Sequence, residues 1–322
     1  MPQPRKVSVR AFAKLNLSLA VLYKRPDSYH ELRTVFQTVS LADRLEIEFT
    51  QGRRIEIELA CDTPISGVNL VTKAAQAVFR VGRITGTLRV KLEKRIPIGG
   101  GLGGGSSDAA AILLALPVLA GKTIPADRLH EIAASIGSDV PFFLMGGAAI
   151  GAGRGEELYP LPPLRAGSVL VAAPGIAVST PEAYAALHCP AFSELTPGRL
   201  AIKMKGFQSL GRSLSEPGGW EDSSENSFEE AVFERHPALR KIHRALLRSG
   251  ARPARMSGSG SALFGVFPSP GALDAACQSI LSTNPGVLVS KVRFLPRDRY
   301  RRAWLSALAP YAAPLAWPPA AR

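Results

Sequence analysis

Pro97-Ile98-Gly99-Gly100-Gly101-Leu102-Gly103-Gly104-Gly105-Ser106-Ser107-Asp108 places six glycines in the seven positions from 99 to 105. Upstream, Thr87–Leu92 alternates polar and apolar residues and reads as a strand. Downstream, Ser107–Leu116 reads as an Ala/Leu helix that Pro117 should end. A glycine run between a strand and a helix lets backbone N–H groups converge on an anion, and the positive end of the helix adds to the field. The Ser106 and Ser107 hydroxyls can donate to phosphate or approach a metal. No Gly-Lys-Ser/Thr follows, which excludes a Walker loop. No acidic residue closes a second parallel strand about 20 positions on, which removes the dinucleotide fingerprint. The segment therefore reads as a phosphate cradle of another kind.

Working outward, strand-like alternation marks Val7–Phe12 and continues through Leu15, Leu17, Leu19 and Val21, with Asn16 and Ser18 on the opposite face. Leu45–Phe49 and Ile55–Leu59 alternate around Gln51–Arg54 and predict a hairpin with one wet face. Helices are expected over Val68–Val81 and over Ala126–Ile136, the latter closed by Gly137. Beyond a Gly/Pro-dense boundary at Gly151–Pro163 the order is strand (Ser168–Ala172), helix (Pro181–Leu187), and helices at Phe228–Arg235 and Pro237–Arg248. Strands at Pro253–Met256 and Ala262–Phe267, a helix at Gly271–Leu281 and a strand at Val287–Phe294 complete it. This is a split β-α-β-β-α-β unit with a helical elaboration. Ser209–Ser227 is expected to be a mobile loop. The predicted units are 1–160, 161–302 and an Ala/Pro-rich tail, 303–322, whose prolines forbid a continuous helix.

Length and composition agree with an ordinary globular protein of two packed domains. The 322 residues are 46% hydrophobic and 20% charged, which excludes general disorder. Cys61, Cys189 and Cys277 form no CxxC, so neither a disulfide framework nor a cysteine zinc site is expected, and a reducing compartment fits. The first strand-like run begins at Val7, leaving no room for a leader, and no apolar stretch reaches the ~20 residues of a membrane helix. A soluble cytoplasmic protein with no membrane partner is expected. The net charge of +13 raises the question of nucleic acid. A basic surface on an enzyme of anionic metabolites is the favoured account, and no nucleic-acid partner is expected.

Pro97–Ala111 resembles the central loop of the GHMP small-molecule kinases, a family named for galactose, homoserine, mevalonate and phosphomevalonate kinases. Ala13-Lys14-Leu15-Asn16-Leu17 and Arg25-Pro26-Asp27-Ser28-Tyr29-His30-Glu31-Leu32 are similar to the opening of the branch whose substrate is a cytidine-diphosphate-linked methylerythritol. Gly137-Ser138-Asp139-Val140-Pro141-Phe142-Phe143 resembles that family's catalytic-aspartate segment, and Met256-Ser257-Gly258-Ser259-Gly260-Ser261 its C-terminal glycine loop. The resemblance runs in order from about Val7 to Phe294. It implies an α+β, two-domain GHMP kinase fold, with an N-terminal domain of a ribosomal-protein type and a ferredoxin-like C-terminal domain.

The resemblance also implies roles. Asp139, which on sequence alone reads first as a helix N-cap, would accept the proton of the substrate hydroxyl, with Lys14 as its cationic neighbour. Phosphoryl transfer runs through a loose transition state, so positioning and charge stabilisation outweigh strong basicity. ATP would lie on Pro97, Gly99, Gly100, Gly101, Leu102, Gly103, Gly104, Gly105, Ser106 and Ser107, with Asn69 near the adenine or simply capping a helix. Asn16 would line the acceptor site. Tyr29 and Tyr184 would stack on a cytosine, His30 would bond its edge, and Thr180 would contact the diphosphate. Ser257, Gly258, Ser259 and Gly260 would form a second backbone cradle. The implied cofactors are ATP as phosphate donor and Mg²⁺, whose protein ligands are not readable from the sequence. The implied partners are ATP and the cytidine-diphosphate-linked methylerythritol, for a monomer or weak homodimer. Two rival readings are another GHMP kinase, for homoserine or a sugar, and an RNA-binding protein. Ser28 stands where the family usually has glycine, Ser227 departs from its Asn-Asp pattern, and Asp108 replaces a frequent Asn.

Overall fold

Strand β1 (Arg5–Lys24) passes through three apolar clusters in turn in the computed structural model. That model describes the chain apart from residues 1–2, 65–68, 165–167, 188, 199–200, 202–203, 205–206, 208–222, 314–315 and 322. Val7, Val9, Ala11 and Phe12 join the N-terminal core, Ala13, Leu15 and Leu17 a core between the two halves, and Leu19 and Val21 the C-terminal core. β1 pairs antiparallel with β2 (His30–Gln51), with register shifts at Phe12/Lys14, Asn16/Ser18 and Val21/Tyr23. Such irregularities re-aim side chains beside functional sites. Here two of them flank Lys14 and Asn16.

The first sheet also contains β3 (Ile55–Cys61), β4 (Gly86–Glu93), β5 (Ala148–Ala152) and β6 (Glu157–Pro160), in the order β3-β4-β2-β5-β6 with β1 on β2. The expected Leu45–Leu59 hairpin is not formed. β3 pairs in parallel with β4, and β4 lies between β3 and β2. Helix α1 (Leu70–Gly82) supplies the crossover that a parallel pair requires. Alternation identified both strands correctly, but the neighbour of each is decided by where the buried face of α1 can dock.

Helix α2 (Gly104–Leu119) is buried at every position from Ser107 to Leu119, with α1, α3 (Ala126–Ile136) and α4 (Val140–Met145) around it. Pro117 lies inside this helix rather than at its end. Burial on all sides outweighs the one ladder hydrogen bond that proline removes so near the terminus. Gly137 closes α3 with φ 178°, in extended backbone.

The second sheet has the order β10-β7-β9-β8, built from β7 (Ser168–Ala173), β8 (Ala254–Met256), β9 (Leu263–Phe267) and β10 (Leu288–Val292), all pairs antiparallel. Its helices are α5 (Thr180–Ala186), α6 (Glu229–Arg235), α7 (Pro237–Arg248) and α8 (Pro270–Thr283). This is the ferredoxin-like arrangement, with one sheet face under helices and the other against β1. Most of the loop expected over Ser209–Ser227 lies outside the described residues. Its end, however, is stitched to β1: Leu19 N donates to Glu225 O at 2.7 Å and Ser227 N to Leu19 O at 2.9 Å. The last helix, α9 (Arg297–Leu308), runs across the expected 302/303 boundary and buries Tyr300, Trp304 and Leu308 in the N-terminal core. The tail is therefore part of the first domain's packing, because its aromatic residues fill that core from outside.

A buried ion cluster fixes the entrance to the glycine loop. Lys94 Nζ binds Asp43 and, at 2.8 Å, Asp108 Oδ2; Asp43 Oδ1 accepts from Arg95 N at 2.6 Å and Ile96 N at 2.7 Å. Burial pushes the Asp108 carboxyl up to about 7 against the pull of Lys94. Removing one partner of a buried pair leaves uncompensated charge, typically about 3–5 kcal/mol. Lys94→Met should lose stability on that scale in urea unfolding; a loss below about 1 kcal/mol would contradict this account of the cluster.

Candidate active site

Two cavities meet at the glycine loop. The smaller, about 290 Å³, is lined by Asn69, Leu70, Lys94, Asp108 and the run from Ile96 to Ser106. The larger, about 680 Å³, is lined by Lys14, Asn16, Tyr29, His30, Asp139, Thr180, Tyr184, Gly258 and Ser259, and shares Gly101 and Ser106 with the first. A concavity of about 690 Å³ over the outer face of β1–β4 holds none of the expected residues. There Lys6 pairs with Glu48 and Arg89 with Glu58.

The loop's carbonyls are turned into the protein. Ala262 N donates to Gly100 O at 3.1 Å, Ser257 Oγ to Gly101 O at 3.0 Å and Lys14 N to Leu102 O at 3.0 Å. In a trans peptide the following N–H points the opposite way, so the amides of Gly101, Leu102 and Gly103 face the cavity side. Gly99, Gly101 and Gly103 have φ of 71°, 73° and 71°. Gly101 has a second constraint: an added Cβ would lie 2.0 Å from Ser257 O. The N-cap of α2 is Gly103, which has no side chain to occupy the first-turn amides. The Leu102 side chain is buried in the core between the domains and anchors the loop, leaving its backbone to line the cavity. Asn69 caps α1, accepting from Val71 N at 2.8 Å, as one of its two expected readings has it, and it also lines the smaller cavity.

Lys14 and Asp139 are brought together, with Nζ 3.1 Å from Oδ2. Lys14 is 3% exposed and Asp139 32%. The ammonium also donates to Asn16 Oδ1 at 2.5 Å, while Asn16 Nδ2 donates to Thr34 Oγ1 at 2.8 Å and Thr34 Oγ1 to Ser18 O at 2.7 Å. Asp139 occupies the N-cap position of α4, yet its side chain makes no capping bond. Its carboxylate is left to Lys14 and the cavity.

At the far end of the larger cavity His30 stacks on Tyr184, with centroids 4.5 Å apart and planes at 21°, and Phe228 meets Tyr184 edge-on at 4.9 Å. Burial and the nearby Lys24 hold the His30 imidazole below its usual value, favouring the neutral ring. Burial, and then the Asp139 charge, push the Tyr184 hydroxyl up to about 12. Tyr29 is 52% exposed, with the Arg154 guanidinium 4.7 Å from its ring centroid. Thr180 Oγ1 lies 2.9 Å from Ser259 Oγ, tying the α5 start to the second glycine loop.

Sequence reading missed Arg154, Asn226 and Glu229. Arg154 sits in a Gly-Arg-Gly turn that reads only as a linker. Asn226 Nδ2 donates to Met256 O at 2.7 Å and Gly258 O at 2.9 Å, and Glu229 accepts from Met256 N at 2.7 Å. Together they hold the second glycine loop from beneath. Ser107 Oγ and Asp108 Oδ1 are buried beside the first loop without a hydrogen-bond partner among the described residues. No group of three or more His, Cys, Asp or Glu side chains is placed to hold a metal ion, again among the described residues.

The sequence matches the GHMP kinases N terminal domain over residues 69–147 and the GHMP kinases C terminal domain over residues 203–285. It is 49% identical over 318 residues to the 4-diphosphocytidyl-2-C-methyl-D-erythritol kinase of Solibacter usitatus, covering 99% of this chain and 98% of that one. It is 37% identical to the enzyme of that name from Chlorobium chlorochromatii, covering 86% of this chain and 94% of that one. A crystal structure of 4-(cytidine 5'-diphospho)-2C-methyl-D-erythritol kinase superposes with a TM-score of 0.69 at 35% identity, covering 88% of this chain and 98% of that one. The homoserine kinase of Cytophaga hutchinsonii superposes with a TM-score of 0.70 at 17% identity, covering 90% and 95%, a likeness of fold.

The contact at Gly101 predicts that Gly101→Ala costs about 3 kcal/mol and uncouples the two loops. Gly99→Ala, at a similar φ but with open space around it, should cost only about 1 kcal/mol. Equal losses in chemical denaturation would remove the role of close approach. Glu229 gives a pH signature. Burial raises its carboxyl to about 7, so between 4.5 and 7 the native state holds a proton that the unfolded chain releases. Stability from this group falls as pH rises through that window. Glu229→Gln should therefore gain on the parent protein as pH rises, read as the difference in unfolding midpoint between pH 4.5 and 8.

Proposed function

The chain belongs to the GHMP kinases, and from that membership we propose that it transfers the γ-phosphoryl group of ATP to the 2-hydroxyl of 4-diphosphocytidyl-2-C-methyl-D-erythritol, in the non-mevalonate route to isoprenoid precursors. The Lys14–Asp139 pair carries the reading, because it lines the larger cavity, which shares Gly101 and Ser106 with the smaller one. ATP in the smaller cavity presents its terminal phosphate at that junction, and the acceptor hydroxyl reaches it from the larger one. A bond forms between the hydroxyl oxygen and the γ-phosphorus, the bond to the β-bridging oxygen breaks, ADP leaves, and the hydroxyl proton passes to Asp139.

Lys14 and the loop amides act on the charge that spreads over the transferring group, fixed in place before the reaction begins. Lys14 is held by Asn16 and Asp139, so little reorganisation is needed. His30, Tyr184 and Tyr29 take the cytosine, the neutral imidazole bonding its edge. Thr180, beside Ser259, takes the diphosphate. The orphan oxygens of Ser107 and Asp108 suit Mg²⁺, which is commonly held by few protein oxygens together with substrate phosphates. When bound, it would neutralise phosphate charge. The cytoplasm, and a monomer or weak homodimer, complete the proposal. Among the described residues no helix is long and apolar enough to cross a membrane.

In a coupled ADP-release assay, turnover should appear with the cytidylyl acceptor and not with homoserine, mevalonate or galactose; turnover with one of those alone would overturn the assignment. Asp139→Asn should lower kcat by a factor of about 100 or more with little change in either KM. Near-normal kcat in that variant would remove Asp139 as the base.

A further inference from the structure

Helix α4 has only six residues, too short to hold itself, and it carries Asp139 at its start. The end that faces the cavities must stay open to substrate. The other end is held by the C-terminal segment, more than 150 residues later in the chain. Tyr300 Oη donates to Phe143 O, Trp317 Nε1 donates to Leu144 O at 2.8 Å, and Arg297 Nε donates to Gly146 O at 3.1 Å. Phe142 O is taken locally, by Gly146 N at 2.9 Å.

The contact is built for proximity. Gly146 has φ 69°, and a Cβ there would lie 2.2 Å from the Tyr300 ring. Tyr300 is 1% exposed, its ring 5.7 Å from Phe12 and 6.1 Å from Trp317, and Arg301 lies over Trp317 at 5.1 Å. The tail then turns back on itself, Ala313 N donating to Ala320 O at 2.7 Å. Asp139 lies about 8 Å from this clamp along the helix axis, at 1.5 Å per residue. A tilt at the clamped end therefore moves its carboxylate relative to Lys14.

We propose that Tyr300 and Trp317 are positioning residues for the phosphoryl transfer, fixing Asp139 by binding the Phe143 and Leu144 carbonyls at the far end of α4. The inference rests on the reading of Asp139 as the base. Misplacement of a catalytic group by about 1 Å can cost 100-fold in rate, so loss of a single donor should be visible in turnover before it is visible in binding.

The experiment uses the full chain with Tyr300→Phe, which deletes the donor and keeps the ring, and Trp317→Phe, which deletes the donor and leaves a smaller aromatic ring. Steady-state kinetics with ATP and the cytidylyl acceptor are measured for each variant, alone and combined with Asp139→Asn. We expect kcat to fall about 10-fold, both KM values to stay within about twofold, and no further loss in the Asp139→Asn background. Near-normal kcat in both variants, with Asp139→Asn inactive, overturns the clamp and leaves the base standing. So does an equal further loss in the Asp139→Asn background, or a rise in KM at constant kcat. Full activity of Asp139→Asn alone overturns both readings.

Discussion

The rest of the site depends on the approach of Gly101 to Ser257, two backbones closer than any side chain would permit. The Ser257 hydroxyl donates to Gly101 O and accepts from Asn16 N at 3.2 Å, so one group ties together the first strand and both glycine loops. Asn16 in turn receives a hydrogen bond from Lys14, and Lys14 meets Asp139. The Lys14–Asp139 pair is thus referenced to the same contact that joins the two domains. Hydrogen bonds drawn away from the cavity leave the loop amides pointing toward it, so the donors of the cradle are mainly backbone, with Lys14 and Lys94 as the cations beside it.

The net charge of +13 accordingly has little to do with phosphate recognition. Part of the excess lies in the basic residues from Lys291 to Arg302, and several of these have structural work. Arg297 serves backbone carbonyls, Arg301 stacks on Trp317, and burial holds both guanidinium groups below their usual value. Lys291 pairs with Asp274 at 2.7 Å. What composition presents as an anion-seeking end of the chain is in part the packing of a terminal helix.

Local pattern was enough where the chemistry is local. The glycine run, its flanking strand and helix, and the split β-α-β-β-α-β order are visible because periodicity and glycine content are properties of neighbouring residues. The approach of Lys14 to Asp139 was legible only through the resemblance of their segments to a known family. Features set by distant partners escaped. Strand β3 alternates as a hairpin arm would, yet its partner follows from helix docking. Asn226, Arg154 and the Asp43–Lys94–Asp108 cluster have no signature within their own windows, since each acts on backbone or charge remote in sequence. Trp317 is the clearest case. An Ala/Pro-rich tail reads as filler, and only the fold shows an indole closing a helix in the other half of the molecule.

Because β1 runs through all three apolar clusters and the loop carbonyls are bonded across the domain boundary, the two halves have no independent hinge. Swinging them apart would break the Gly100–Ala262 and Gly101–Ser257 bonds and expose the shared core, dismantling the cradle that a ligand is meant to enter. Access and exit are therefore tasks for the rim: the exposed Tyr29 under Arg154, and the His30 ring on Tyr184. The cradle is thus braced from both halves, and the aromatic rim is the part of the cavity that can open without parting them.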